Sequence, residues 1–166
     1  GLAAALDFYG YKGAVVIGSE LMHYSFDKAV DLMGIGTHSL IRVPADSNNR
    51  VNIDLLCQTV AKCRTQNLHI ISIVGVAGTT DSGGVDPLED VAEIAQENNI
   101  HFHVDAAWGG PVIFSKKHRH KLAGIERADS VTIDGHKQMY LPMGIGMVFL
   151  RDPRMAFSIE KQASYT

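Results

Sequence analysis

An almost unbroken apolar run from His69 to Val76 is the feature that most constrains the fold of this chain. Ile and Val dominate the run, and polar residues do not alternate with them as they do in a strand that has one face in water. The run therefore predicts a strand that is covered on both faces. Such strands are typical of the parallel sheets of α/β proteins.

Other segments of the chain extend this prediction to a whole sheet. Strands are predicted at 14–18, 40–43, 101–105, 130–133 and 145–150. Helices are predicted at 1–8, 26–33, 55–66 and 88–97, and the basic segment 115–127 is expected to be partly helical. Asp54 is the predicted N-cap of the helix at 55–66. Strands that alternate with helices in this way indicate one α/β domain with a mainly parallel sheet.

Composition and charge argue against several classes of function. Of the 166 residues, 46% are hydrophobic and 20% are charged, and the net charge of −3 gives no reason to expect a nucleic acid or an anionic membrane as partner. No apolar stretch approaches the roughly 20 residues of a membrane span. Cys57 and Cys63 lie in one predicted helix and face different directions, so they form no disulfide framework. A cytoplasmic protein is therefore expected.

Two reactive side chains follow consecutive predicted strands. Asp105 ends one strand and precedes small residues, and Lys137 follows the next strand after a polar turn. Ligands bind at the carboxyl ends of parallel strands, where a lysine that loses its proton becomes a nucleophilic amine. Taken singly, Lys137 is more often a solvated surface residue and Asp105 a turn cap. If the two strands are adjacent, both groups face one crevice, which is the arrangement of a pyridoxal phosphate (PLP) site.

The residues around this pair resemble a known family. The segments concerned are His103-Val104-Asp105-Ala106-Ala107-Trp108-Gly109-Gly110, Ala128-Asp129-Ser130-Val131-Thr132 and His136-Lys137. Together they are similar to the group II PLP-dependent amino acid decarboxylases, which include glutamate, aromatic amino acid and cysteine sulfinate decarboxylases. The resemblance runs from about His23 to Leu150. It implies the large domain of the fold type I PLP-dependent transferases, an α/β fold with a mainly parallel sheet and helices on both faces.

By this resemblance, residues 1–166 are the central part of the PLP-binding large domain. The family's phosphate-binding N-terminal segment and its C-terminal small domain are expected to lie outside them. The chain also begins at Gly1, within a predicted helix that has no cap, which indicates an internal piece of a longer polypeptide. We therefore expect this incomplete piece, taken by itself, to bind PLP weakly or not at all and to be inactive.

The resemblance implies roles for three catalytic residues, which also contact the cofactor. Lys137 would form a Schiff base with PLP, and Asp105 would pair with the pyridine nitrogen. His23, in Leu21-Met22-His23-Tyr24-Ser25, resembles the histidine that stacks on the ring. Four further cofactor-binding residues are implied: Ala107 under the ring, Thr80 near the phenolic oxygen, and His136 and Ser130 near the lysine and the phosphate.

The reaction implied by the resemblance is decarboxylation of an L-amino acid, an acidic one such as glutamate or aspartate, by a homodimer. One position departs from the family's pattern, because Asp134-Gly135 stands where many relatives have Asn-Pro. A carboxylate close to the cofactor phosphate is unfavourable unless its side chain points away. We therefore expect no phosphate contact from Asp134.

Three alternatives remain open at this point. A PLP-dependent carbon–carbon lyase, an aminotransferase or a cysteine desulfurase would share the fold and the paired lysine and acid. A metal-binding protein would use His101, His103 and Asp105, which stand at every second position of one predicted strand. This interpretation gives Lys137 and Thr80 no role. A catalytically silent PLP-fold domain is disfavoured because Lys137 and Asp105 are both intact.

Overall fold

The computed structural model describes residues 13–157, and the helix predicted at 1–8 lies outside them. The described strands are β1 (Ala14–Ser19), β2 (Leu40–Val43), β3 (His69–Val76), β4 (His101–Asp105), β5 (Ser130–Asp134) and β6 (Gly146–Leu150). They form one sheet in the order β2-β1-β3-β4-β5-β6. Strands β1 to β5 run parallel, and β6 runs antiparallel to β5. The predicted mainly parallel sheet is confirmed.

Four α-helices lie in the described part of the chain. They are α1 (Ser25–Leu32), α2 (Ile53–Thr65), α3 (Leu88–Glu97) and α4 (Arg154–Phe157). None of the helices within residues 13–157 is both long and apolar enough to cross a membrane. Along α2, Cys57 is exposed and Cys63 is buried, so the two thiols face different directions as predicted.

The predicted N-cap of α2 is wrong. Helix α2 begins at Ile53, and the residue before it, Asn52, has extended backbone angles and accepts the Leu55 N–H through its side chain at 3.0 Å. Asp54 instead lies in the first turn, where its negative charge is favourable next to the helix N-terminus. Both residue types cap helices well, and Asn52 takes this role because the helix starts two residues earlier than predicted.

The basic segment between β4 and β5 is partly helical, as predicted, but its helices are short 3₁₀ turns. They span Arg119–Leu122 and Ile125–Arg127; further 3₁₀ turns lie at Gly110–Phe114, just before this segment, and at Thr37–Ser39, before β2. Leu122 is fully buried and joins the main core, so this connection is packed against the domain. It returns the chain to the sheet directly beside β4.

The sheet separates two hydrophobic cores. Alternate residues of β1 point to opposite faces, so Val15 and Ile17 join the larger core and Val16 joins the smaller one. Helices α2 and α3 cover the larger core, and α1 covers the smaller one through Val30. The predicted arrangement with helices on both faces is therefore confirmed.

A buried carboxylate joins the end of β3 to the segment that precedes α2. Asp86 is 3% exposed, and its two oxygens accept the Val51 N–H at 2.7 Å and the Val76 N–H at 2.8 Å. Burial raises the pKa of Asp86, while these two hydrogen bonds act to lower it. One side chain thus satisfies two buried backbone donors.

We expect Asp86→Ala to destabilise the fold. The substitution leaves two buried N–H groups without an acceptor, at a cost of roughly 1–3 kcal/mol each. Urea denaturation of the purified protein measures the change, with Asp81→Ala in an exposed loop as the control. Equal free energies of unfolding for the two variants would contradict this structural role.

Candidate active site

A cleft of about 380 Å³ opens at the carboxyl ends of the central strands. It lies where β3, β4 and β5 end side by side, which follows from their order in the sheet. Its walls come from α1 and the loop before it, from the loops after β3 and β4, and from β5 and the turn that follows. The lining residues are His23, Ser25, Phe26, Ala29, Gly78, Thr80, His103, Asp105, Ala107, Trp108, Thr132, Asp134 and Lys137.

Asp105 and Lys137 line this cleft together. Their strands are neighbours, as predicted, and Asp105 pairs with Thr132 in the register of β4 and β5. The Asp105 carboxylate is fixed at the end of its strand, because its Oδ1 accepts the Ala107 N–H at 3.1 Å. The acid and the amine therefore reach one cavity from adjacent strands.

Lys137 forms an ion pair inside the cleft. Its Nζ lies 2.9 Å from Oδ2 of Asp134, and the two side chains are 33% and 21% exposed. The turn between them is closed by the Lys137 N–H, which donates to the Asp134 carbonyl at 3.2 Å. Asp134, the residue that departs from the family's common Asn, is thus directed at the lysine.

Three other predicted residues also line the cleft: His23, Thr80 and Ala107. His23 lies in the loop between β1 and α1, where its Nδ1 is 2.9 Å from the Ser25 hydroxyl. This contact restrains the ring, whose inclination to the neighbouring Tyr24 ring is 46°. An imidazole, a hydroxyl and a small methyl group therefore line the same cleft as Lys137 and Asp105.

Ser130 and His136 do not line the cleft. The Ser130 hydroxyl lies 2.8 Å from His101 Nε2 and 2.8 Å from His103 Nδ1. His136 Nδ1 lies 3.0 Å from the Ile145 carbonyl oxygen, across the hairpin between β5 and β6. The role of these two residues in cofactor binding stays a prediction.

Comparison with known proteins identifies the family. Residues 11–162 match the family described as the pyridoxal-dependent decarboxylase conserved domain. The chain belongs to this family. The aspartate 1-decarboxylase of Aliivibrio fischeri is 50% identical to this decarboxylase domain over 165 residues, which are 99% of the chain but 30% of that relative. The domain thus spans about a third of the relative's length.

Solved structures of the same family have the same fold. One is the glutamate decarboxylase domain of a diaminobutyrate-pyruvate transaminase and L-2,4-diaminobutyrate decarboxylase from Vibrio parahaemolyticus, which is 32% identical in sequence. Its TM-score is 0.86, and the match covers 90% of this chain and 32% of the chain in that structure. The structure of Oryza sativa TDC with PLP is 26% identical in sequence and has a TM-score of 0.83. The match covers 92% of this chain and 34% of the chain in that structure. Fold type I is therefore the fold of this decarboxylase domain.

The side chains of the cleft fit PLP. Lys137 supplies an amine that can bind an aldehyde carbon, and Asp105 supplies a carboxylate for a ring nitrogen. His23 and Ala107 offer a flat ring and a small methyl group to the faces of a planar cofactor. A cavity of about 380 Å³ lies within the ordinary range for a small-molecule site.

Several residues of the cleft were not singled out from the sequence as cofactor contacts. Among them are Thr132 on β5 and Phe26 on α1. The signal for Thr132 was present, since Ser130, Thr132 and Asp134 alternate with apolar residues along one strand. Phe26 had no such signal, because only the packing of α1 over the sheet brings it to the cleft.

Two glycines allow the loop after β4 to approach the sheet closely. A Cβ added at Gly109 would lie 2.3 Å from the Ala77 carbonyl oxygen, and one added at Gly110 would lie 2.7 Å from the Ile133 side chain. This close packing holds Ala107 at the cleft. Trp108 lines the same cleft with 47% of its surface exposed.

The metal-binding alternative finds no support in the part of the chain that the structure describes. Within residues 13–157, no group of three or more His, Cys, Asp or Glu side chains is arranged to hold a metal ion. His101 and His103 are instead hydrogen-bonded to Ser130.

His103 makes stability depend on pH. Burial lowers its pKa below the ordinary value of 6.5; the Asp105 carboxylate raises the pKa and His101 lowers it. His103 in the unfolded chain therefore takes up a proton at a higher pH than His103 in the folded protein. The contribution of neutral His103 to the free energy of unfolding is fully present above the pKa that His103 has in the unfolded chain. It is lost as the pH falls through the lower pKa that His103 has in the folded protein.

We expect the free energy of unfolding to fall as the pH drops below 6.5, and to fall less steeply in His103→Gln. Urea titrations at several pH values measure the two slopes. His118→Gln, at an exposed position, is the control and should keep the wild-type slope. An unchanged slope in His103→Gln would contradict the expectation.

Proposed function

We propose that the full-length protein containing this decarboxylase domain uses PLP to remove the α-carboxyl group of an L-amino acid. The observation that carries the proposal is that Lys137 and Asp105 line one cleft in a chain of this family. A lyase or an aminotransferase of the same fold would also need these two groups. Membership of the decarboxylase family favours decarboxylation over both.

The proposed roles follow from the chemistry of each side chain. Lys137 would hold the cofactor through its Nζ, an amine that can bind an aldehyde carbon. Asp105 would pair with the ring nitrogen, and the orientation of its carboxylate is maintained by the Ala107 N–H at 3.1 Å. When bound, the cofactor supplies an electron sink for the pair of electrons left behind by CO₂. Asp134 lies 2.9 Å from Lys137 Nζ and can hold the free amine in place.

The remaining predicted residues position the cofactor in this proposal. His23 and Ala107 would contact the faces of the ring, and both line the cleft. Thr80 would contact the phenolic oxygen, and its place in the loop after β3 supports this. His136 and Ser130 are proposed from the family resemblance to act near the lysine and the phosphate.

We propose an acidic substrate, aspartate or glutamate. The support is the 50% identity to an aspartate 1-decarboxylase. The basic side chains that line the cleft are Lys137, His23 and His103, and no arginine of residues 13–157 is among them. Arg42, for example, is ion-paired with Asp27 at 2.7 Å. The group that binds the substrate's side-chain carboxylate would therefore come from outside the described cleft.

We further propose that this chain is the central part of a larger PLP-binding domain, and that the full-length protein is a cytoplasmic homodimer. The share of the relative that the chain spans, 30%, supports the first point. The free thiols of Cys57 and Cys63 suit a reducing compartment. The family resemblance supports the dimer.

The experiment that tests the function is CO₂ release from a panel of amino acids by the full-length protein with PLP. The panel contains aspartate, glutamate, 2,4-diaminobutyrate and an aromatic amino acid. We expect release from an acidic substrate together with formation of the corresponding amine. Conversion of the substrate to a keto acid without CO₂ would show an aminotransferase, and absence of CO₂ from the whole panel would overturn the proposal.

A further inference from the structure

The strands β4 and β5 carry a polar stripe on one face of the sheet. The stripe consists of His101, His103 and Asp105 on β4, and Ser130, Thr132 and Asp134 on β5. The opposite face of the same strands is apolar and belongs to the larger core. Strands inside a parallel sheet are normally apolar on both faces, so the stripe calls for a physical reason.

Ser130 is the centre of this stripe. Its side chain is buried, with 7% exposed, and its Oγ lies 2.8 Å from His101 Nε2 and 2.8 Å from His103 Nδ1. A hydroxyl has a single proton and two acceptor lone pairs, so it can donate to one ring while it accepts from the other, and it cannot donate to both. In that arrangement the two imidazoles are coupled, because one ring donates to Ser130 and the other accepts from it.

The two ends of the hydrogen-bonded series His101, Ser130 and His103 face different surroundings. At the outer end, His101 Nδ1 lies 4.0 Å from Asp129 Oδ2, and these side chains are 28% and 39% exposed. At the inner end, His103 lines the cleft together with Asp105. The hydrogen-bonded chain therefore spans from a partly solvated edge to the cleft.

We propose that His101, Ser130 and His103 form a proton relay between solvent and the cleft at Asp105. The inference rests on the proposed function, because loss of CO₂ from an amino acid replaces a carboxylate by hydrogen and takes up one proton per turnover. His103 is the positioning residue at the inner end. The charged and titratable groups around it are His101 and Asp105 on β4, and His23, Asp134 and Lys137, which line the same cleft.

Each transfer through the relay takes up one proton and releases one proton. A proton from solvent binds His101 Nδ1, the Nε2 proton of His101 moves to Ser130 Oγ, and the Ser130 proton moves to His103 Nδ1. The Nε2 proton of His103 then leaves into the cleft. One proton enters and one leaves, no other bond changes, and both hydrogen bonds reverse direction. Before the next turnover each neutral ring exchanges its Nδ1 proton for an Nε2 proton with water and the Ser130 hydroxyl rotates, so the first arrangement returns with no net transfer of protons.

The test uses the full-length protein with PLP bound and follows the cofactor absorbance after a rapid change of pH. We expect Ser130→Ala to slow the spectral response by about tenfold or more, because the relay loses its central hydroxyl. Ser130→Thr keeps a hydroxyl and should respond within about twofold of the wild type. The PLP dissociation constant of each variant is measured first, and the spectral responses are compared at saturating PLP.

A second variant cuts the relay at its outer end, where the position is only half-buried. His101→Phe should slow the response as Ser130→Ala does, and His118→Gln, at an exposed histidine, should not. Wild-type response rates in Ser130→Ala and His101→Phe would overturn the relay. Slowing in Ser130→Ala alone would also overturn it, because the serine would then act only on His103. A wild-type protein without a PLP spectrum or CO₂ release would instead count against the proposed function.

Discussion

Replacing Lys137 with methionine is expected to lower the kcat of the full-length protein by on the order of 10⁴. Methionine is similar in length to lysine but cannot bind an aldehyde or carry a proton. The substitution also removes the cation that pairs with Asp134 at 2.9 Å, so the cleft loses its amine and gains an unbalanced carboxylate. Cofactor attachment and turnover should fail together.

Borohydride reduction followed by mass spectrometry measures the attachment directly. The wild-type protein should carry reduced cofactor on the peptide that contains Lys137, and Lys137→Met should carry none. Lys121→Met, at an exposed lysine in the connection between β4 and β5, is the matched control. Reduced cofactor on another lysine of the wild type, with full activity in Lys137→Met, would contradict the assignment.

Replacing Asp105 with alanine is expected to lower kcat by about 10³, which corresponds to about 4 kcal/mol of transition-state stabilisation. A ring nitrogen without a carboxylate partner loses its proton more readily and accepts electrons less well. The lysine remains, so covalent attachment of PLP should weaken far less than turnover does. This unequal loss distinguishes an electronic role from a purely structural one.

The measurements are kcat from CO₂ release and the PLP dissociation constant from absorbance titration. Asp105→Asn keeps the shape of the side chain and its contact with the Ala107 N–H but has no charge. It should therefore resemble Asp105→Ala in kcat and the wild type in stability. Equal losses of turnover and of cofactor binding in both variants would contradict the electronic role.

Most of the fold could be predicted from the sequence, because its hydrophobic signals are strong. The predicted bounds of β2, β3, β4 and α3 coincide with those of the structure. The apolar run of β3 and the period-two pattern of β4 leave few alternatives. The place of Asp105 and Lys137 in one cleft then follows from the adjacency of consecutive strands.

Side-chain partners could not be predicted in the same way. Ser130 matches a family position near the phosphate, yet its hydroxyl lies between His101 and His103, because the register of β4 and β5 sets it opposite His103. The pairing of Asp134 with Lys137 depends on the shape of one turn. Such contacts depend on the register and rotamers of neighbouring elements, which a hydrophobic pattern does not specify.

The adjacency of β4 and β5 also bears on how enzymes of this kind diverge. The acid and the amine are both encoded between Asp105 and Lys137, and the group that binds a substrate's side-chain carboxylate is proposed to come from outside the described cleft. One short stretch of gene can therefore be inherited unchanged while distant stretches drift. New substrates can arise in this way without rebuilding the chemical centre.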